Sequence, residues 1–250
     1  MLAELVRRPL VAIQFLTRLP VAGGTEASEE ELGRAAAWFP MVGVIVGGGA
    51  AGVFFLTAYI FPLSTCVFLA IVFATLITNG FHEDGLADSV DGFGGGWSRE
   101  GVLAIMRDSR IGTYGTLALI FLVLGKYHFL SLLQPRQICR WLLVAHVASR
   151  WTILPLSASL KYARAEGQGK LVAKQIGATA MLIGTVTLLL TFMLLPWKAA
   201  ASGLLVIVLV TVLCGLYYRA RLGGITGDCL GATNQLTEVA LYATAAILMR

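Results

Sequence analysis

The chain is poor in charge. Asp, Glu, Lys and Arg together make up 13% of its 250 residues, against about 25% in an ordinary soluble domain. With 57% hydrophobic residues and a mean hydropathy of +0.79, that scarcity excludes a soluble globular class. Cysteine is also scarce. Cys66, Cys139, Cys214 and Cys229 lie far apart, with no CxxC and no Cys–His spacing. A zinc site and a disulfide framework are therefore excluded, and the four read as small buried hydrophobes. A basic face with interleaved aromatics is missing, so the net charge of +5 does not point to nucleic acid. No internal repeat is evident.

What is present is a series of apolar runs long enough to cross a bilayer. They cover 35–61, 63–81, 111–133, 141–160, 176–195, 199–218 and 229–249. By the length rule they predict about seven transmembrane helices. The fold expected is an all-α, polytopic membrane bundle, a single domain over 1–250 whose solvent is the lipid bilayer. Segment 1–20 is too short to span and is interrupted by Arg18, so it reads as an amphipathic interfacial helix. Ser28 followed by Glu31 reads as a capping box opening the next helix. The glycine pairs Gly43/Gly47 and Gly48/Gly52 permit close helix packing.

Lysine and arginine set the orientation. The N-terminal arginines, Arg99, Arg107, Arg110, Lys161, Arg164, Lys170, Lys174, Arg219 and Arg221 fall on one side. Arg136, Arg140, Lys198 and Arg250 fall on the other. The first side is cytoplasmic by the positive-inside rule. The expectation is a multi-pass protein of a bacterial or archaeal cytoplasmic (inner) membrane, its site facing the cytoplasm, compatible with a homo-oligomer.

Acids are the rarest charged residues, and six of the fourteen stand in 79–115: Glu83, Asp84, Asp88, Asp91, Glu100 and Asp108. Asp84, Asp88 and Asp91 follow an i, i+4, i+7 spacing and share one stripe of a helix. Like charges so placed beside apolar spans require a compensating cation. Hard oxygen donors favour magnesium or manganese over zinc. Asp84, Asp88 and Asp91 are the candidate metal ligands, with Glu83 beside them off the stripe. His82 adjoins the acids and is a candidate for contacting substrate. The glycine run 92–96 reads as a lid, a phosphate cradle or a linker. Arg107 and Arg110, flanking Asp108, read as a phosphate-binding group or as positive-inside anchors.

A second motif opens the last run. Gly223, Gly224, Thr226, Gly227 and Asp228 form a glycine-rich turn into a helix start, a ready anion site. Asp228 reads as a further metal ligand or as an N-cap. Thr226 and Asn234 are candidates for holding substrate, and Glu238, inside an apolar helix, is a functional candidate. Arg150, mid-run, reads as a partner of the acids or of a phosphate. Lys126 reads as a snorkelling side chain, and His128 and His146 as satisfied helix residues rather than ligands.

These motifs, FHEDGLADSVDGF, MRDSRIGTYG and GGITGDCLGA, together with FLTRLPV near the start, resemble the cobalamin-5′-phosphate synthase family over nearly the whole chain. The resemblance implies a magnesium-dependent membrane transferase. It would join adenosylcobinamide-GDP to α-ribazole 5′-phosphate, or to α-ribazole, and release GMP. Magnesium on Asp84, Asp88 and Asp91, with Asp228, would bind the pyrophosphate. Arg107 and Arg110 would hold phosphates, and Asp91 or Glu238 would take a proton from the attacking hydroxyl. The chemistry is similar to that of CDP-alcohol phosphotransferases, but Gly95 and Gly96 stand where that motif has Ala-Arg. Two other classes share parts of the pattern: a prenyl or phospholipid transferase with an acidic magnesium motif, and a cation transporter.

Overall fold

The computed structural model describes residues 2–21, 28–164 and 176–248. Lys170, Lys174 and Arg250 of the charge argument lie outside these residues. The described chain is helical throughout, and its only β feature is an isolated parallel bridge between Tyr162 and Ile225.

The helices in order are α1 (Leu2–Leu16), α2 (Glu29–Ala35), a 3₁₀ turn (Ala36–Trp38), α3 (Phe39–Thr57), α4 (Leu63–Ile77) and α5 (Phe81–Gly95). They continue with α6 (Arg99–Ile105), α7 (Thr113–Ser131), α8 (Pro135–Trp151), α9 (Ile153–Ser159), α10 (Ala178–Phe192), α11 (Trp197–Leu222) and α12 (Gly227–Leu248). Each of the seven apolar runs contains a helix. By length and composition three qualify as membrane spans: Glu30–Thr57, Thr113–Ser131 and Trp197–Leu222. A fourth follows if the bent pair α4–α5 is taken as one. The others fall short for physical reasons. Helix α10 has only 15 residues, and α8 and α12 spend positions on buried Arg, His, Asn, Gln and Glu. Exposed Phe55, Leu56, Phe121, Leu124, Leu205 and Leu216 on the apolar helices make a lipid-facing surface. The chain is a multi-pass membrane protein.

Three local features set the architecture. Gly43 and Gly47 let α3 lie against α8. A Cβ on Gly43 would come within 2.4 Å of the His146 carbonyl oxygen, and one on Gly47 within 2.7 Å of the Leu142 carbonyl oxygen. This close approach puts α8, with its polar residues, in the centre. Next, Asn79 (φ 58°) and Gly80 (φ 65°) are consecutive left-handed residues. They end α4 and turn α5 by 85° from it. Finally, Ser28 and Glu31 form the expected reciprocal cap of α2.

Helix α1 does more than rest on the surface. Ala12 and Leu16 are buried, and the Arg18 backbone N–H donates to the Ile77 carbonyl at 2.8 Å. Phe15 stacks on Phe39 and meets Phe81 edge-on, with centroids 5.8 and 5.6 Å apart. The glycine run 92–96 is neither lid nor linker. Gly92 to Gly95 complete the last turn of α5, and Gly96 caps it. The backbone there packs tightly on α6: a Cβ on Gly96 would meet the Val102 backbone nitrogen at 2.5 Å.

Several turns meet at one end of the bundle. Arg99 donates from Nε to the Leu222 carbonyl at 2.8 Å and from Nη2 to the Ala163 carbonyl at 2.7 Å. Arg221 donates to the Gly96 carbonyl at 2.8 Å. The Tyr162–Ile225 bridge ties the same two loops together.

Candidate active site

At that end, α5 crosses the first turn of α12 at a contact made by glycine on both sides. A Cβ on Gly85 would lie 3.1 Å from the Asp228 Cα, and one on Gly231 would lie 3.2 Å from the His82 carbonyl oxygen. Both glycines come from the two motifs seen in the sequence, and their contact is what brings the motifs together. Asp84, Asp88 and Asp228 become charge neighbours, with Arg164 the cation beside them.

The crossing borders a cavity of about 200 Å³. Asp84, Asp228, Arg164 and His82 line it, with Gly227 at the start of α12. Phe15, Phe39, Phe81 and Tyr162 give it an aromatic wall. Arg164 Nη2 donates to Asp228 Oδ2 at 2.6 Å. His82 is 2% exposed, and its Nε2 is buried without a hydrogen-bond partner.

The three aspartates of the α5 stripe do not converge. Asp84 is exposed at the cavity and Asp88 is half-buried, but Asp91 is buried and turned to α7. Its Oδ2 accepts from the Gly112 N–H at 2.7 Å and its Oδ1 from the Gly115 N–H at 2.9 Å. The carboxylate thereby holds the N-terminus of α7, where the first-turn N–H groups need acceptors and the helix dipole favours an anion. It also explains the glycines of the RIGTYG segment. A Cβ on Gly112 or on Gly115 would come within 2.4 Å of an Asp91 carboxylate oxygen. The expectation of three aspartates in one donor set is corrected on this point.

The donor chemistry at the crossing suits a hard divalent cation: carboxylates of Asp84, Asp88 and Asp228, crowded and partly removed from water. The side chains are not drawn into a closed shell, since no group of three His, Cys, Asp or Glu among the described residues is close enough to hold a metal ion. Glu83 faces away from this set. Its Oε1 accepts from the Thr75 hydroxyl at 3.2 Å, and its other oxygen is buried without a partner.

The remaining candidates divide between the surface and the interior. Arg107 and Arg110 sit on the exposed turn between α6 and α7. Arg110 is forked on Asp108, with Nη2 to Oδ2 at 2.6 Å and Nε to Oδ1 at 3.0 Å. Those bonds, with one from the Arg110 backbone, hold the Asp108 carboxyl down at about 2. Neither arginine is among the residues lining the cavity. Thr226 is buried, and its Oγ1 accepts from the Cys229 N–H at 3.2 Å. Thr226, not Asp228, is the N-cap of α12.

Glu238, Arg150 and Asn234 belong to a second cluster, deep in the bundle. Glu238 is 1% exposed. Its Oε2 accepts from Lys126 Nζ at 2.6 Å, and its Oε1 lies 2.8 Å from His146 Nδ1 and 3.1 Å from Ser149 Oγ. Arg150 Nη1 donates to the His146 carbonyl at 2.9 Å and stands 3.8 Å from Glu238. Lys126 also donates to Gln235 Oε1. Asn234 is fully buried, accepts from Gln235, and has an unpartnered Nδ2. Lys126 does not snorkel, and His146 is a satisfied helix residue whose partner is the buried Glu238. Sequence reading missed the buried pairing of Lys126, although its spacing from either end of its apolar run was the available signal. It also missed Arg164, counted only as a loop charge.

The sequence profile of the family described as cobalamin-5-phosphate synthase matches residues 8–246. A Shewanella baltica protein named adenosylcobinamide-GDP ribazoletransferase is 40% identical over 238 residues, covering 93% of this chain and 91% of its own. One of the same name from Shewanella woodyi is 39% identical over 239 residues, covering 93% and 92%. No solved structure matches the chain.

Proposed function

The chain belongs to the cobalamin-5-phosphate synthase family, and from that premise we propose that it joins adenosylcobinamide-GDP to α-ribazole 5′-phosphate, or to α-ribazole, and releases GMP. The observation that carries this reading is the cavity at the α5–α12 crossing, where acids from both motifs, an arginine and an aromatic wall face one space. An acid cluster beside a cation suits a nucleoside diphosphate more than a neutral ligand, and the start of α12 adds a dipole that favours a phosphate. The positive-inside rule puts this end in the cytoplasm, where nucleotides are found.

In the transfer, a ribose hydroxyl of the ribazole attacks the phosphorus that carries the corrinoid arm. A new P–O bond forms, and the P–O bond to GMP breaks with its electron pair leaving on GMP. The protein's part is mainly positioning and electrostatics. Asp84, Asp88 and Asp228 would hold Mg²⁺. The ion, when bound, would neutralise charge on the pyrophosphate and on the leaving GMP. Asp91 fixes the start of α7 against α5 and so sets the stripe from which Asp84 and Asp88 project. We assign the proton of the attacking hydroxyl to His82, a residue bordering the cavity whose Nε2 is buried without a hydrogen-bond partner. This reading prefers His82 to Asp91, whose carboxylate is bonded to backbone N–H groups, and to Glu238, which is ion-paired to Lys126 within the bundle.

The test is direct. Purified protein in lipid is given adenosylcobinamide-GDP, α-ribazole 5′-phosphate and Mg²⁺, and GMP is measured. GMP release is expected, with none when CDP-diacylglycerol or a prenyl diphosphate replaces the corrinoid substrate. Turnover of either substitute, without turnover of adenosylcobinamide-GDP, would overturn the assignment.

A further inference from the structure

With Arg107 and Arg110 on an exposed turn, the cation in the cavity wall is Arg164. Its side chain is 12% exposed and pairs with Asp228 at 2.6 Å. Its Nε is buried and has no hydrogen-bond partner. A guanidinium presents five N–H groups in a planar fork, so the Asp228 bond leaves donors for a second acceptor. His82, which also borders the cavity, has a buried Nε2 without a hydrogen-bond partner.

The backbone that presents Arg164 is held from three sides. Ala163 N–H donates to the Ile225 carbonyl at 2.8 Å, and Ile225 N–H donates to the Lys161 carbonyl at 2.9 Å. Arg99 bonds the Ala163 carbonyl at 2.7 Å. Gly224 permits the approach, since a Cβ there would lie 2.2 Å from the Lys161 carbonyl oxygen. A surface arginine that only anchors a membrane end requires none of this construction.

We propose that Arg164 binds the pyrophosphate of the nucleoside diphosphate, and that its ion pair with Asp228 is a latch that the arriving diphosphate opens. Asp228 and a phosphate are both anions competing for one guanidinium fork. Asp84, Asp88 and Asp228 outnumber Arg164, so a diphosphate entering without a cation meets net repulsion. A divalent cation that engages Asp228 removes the competitor and releases the fork. Binding of the cation and of the diphosphate is thereby coupled through one side chain. This inference rests on the transferase reading for the identity of the diphosphate.

GDP serves as a non-reacting probe, its binding measured by equilibrium dialysis with Mg²⁺ or with chelator. With Mg²⁺, Arg164→Gln is expected to weaken GDP binding about 30-fold, the loss of a charge-assisted hydrogen bond, and Arg164→Lys to recover part of that. In chelator, Asp228→Asn is expected to tighten GDP binding about fivefold, because the fork has lost its internal partner. A pair that merely staples the loop to α12 predicts that both variants weaken binding alike. That result would overturn the latch, and unchanged affinity in Arg164→Gln would overturn the phosphate contact. Failure of the wild-type protein to release GMP from adenosylcobinamide-GDP counts against the transferase reading, whereas the GDP series alone decides the role of Arg164.

Discussion

Helix α12 carries two acids, Asp228 and Glu238, about 15 Å apart along its axis, in opposite surroundings. Glu238 is sealed in the bundle and matched by Lys126, His146, Arg150 and Ser149. Asp228 stands at a cavity beside two more carboxylates, with Arg164 as its partner. A buried carboxylate that is fully paired holds helices together, because separating the partners would strand charges in low dielectric. A surplus of carboxylates at an accessible cavity does the reverse. It destabilises the resting protein and becomes favourable when a cation arrives. The same residue type on one helix is a fastening in one place and a receptor in the other.

Substitutions at four sites, one of them with a second-site rescue, test that contrast in order of expected effect. Asp88→Asn should lower GMP release by about a thousandfold, the scale of losing a group that stabilises developing charge. Its thermal midpoint should hold or rise, since one of the crowded negative charges is gone; a lower midpoint with full activity would invert the comparison. Glu238→Gln should do the opposite to stability. It leaves Lys126 and Arg150 buried without their carboxylate and should cost about 3–5 kcal/mol in a denaturation series. The double variant Glu238→Gln/Lys126→Met should recover part of this.

His82→Gln sharpens the boundary between the two regions. If its Nε2 takes the proton, kcat should fall about a hundredfold with KM for both substrates nearly unchanged. A raised KM with intact kcat would make it a binding contact instead. At the small end, Arg110→Gln should leave the midpoint of thermal unfolding unchanged. Its pair with Asp108 lies at the surface, and surface pairs contribute little.

Much of this was legible in the residues. The absence of charge and the length of the apolar runs indicate a helical membrane protein without any coordinates, because a bilayer admits few other ways to satisfy the backbone. The i, i+4, i+7 spacing of Asp84, Asp88 and Asp91 does fall on a helix. Helical spacing says which residues share a stripe, but not what each meets across the interface. Asp91 meets the start of α7, and so it leaves the set. The pairing of Lys126 with Glu238 spans 112 positions, and no local rule connects them. Arg164 looked like any loop arginine until the Tyr162–Ile225 bridge carried it to Asp228.

The sequence alone therefore decided the solvent, the helical class and which residues are costly to keep. Those follow from transfer free energies and periodicity, which are properties of single residues and near neighbours. Only the tertiary structure decided which costly residues cancel one another and which are left for a ligand. That depends on which helices touch, and here on Gly43, Gly47, Gly85 and Gly231, where a missing Cβ lets two backbones come close enough to bring distant charges together.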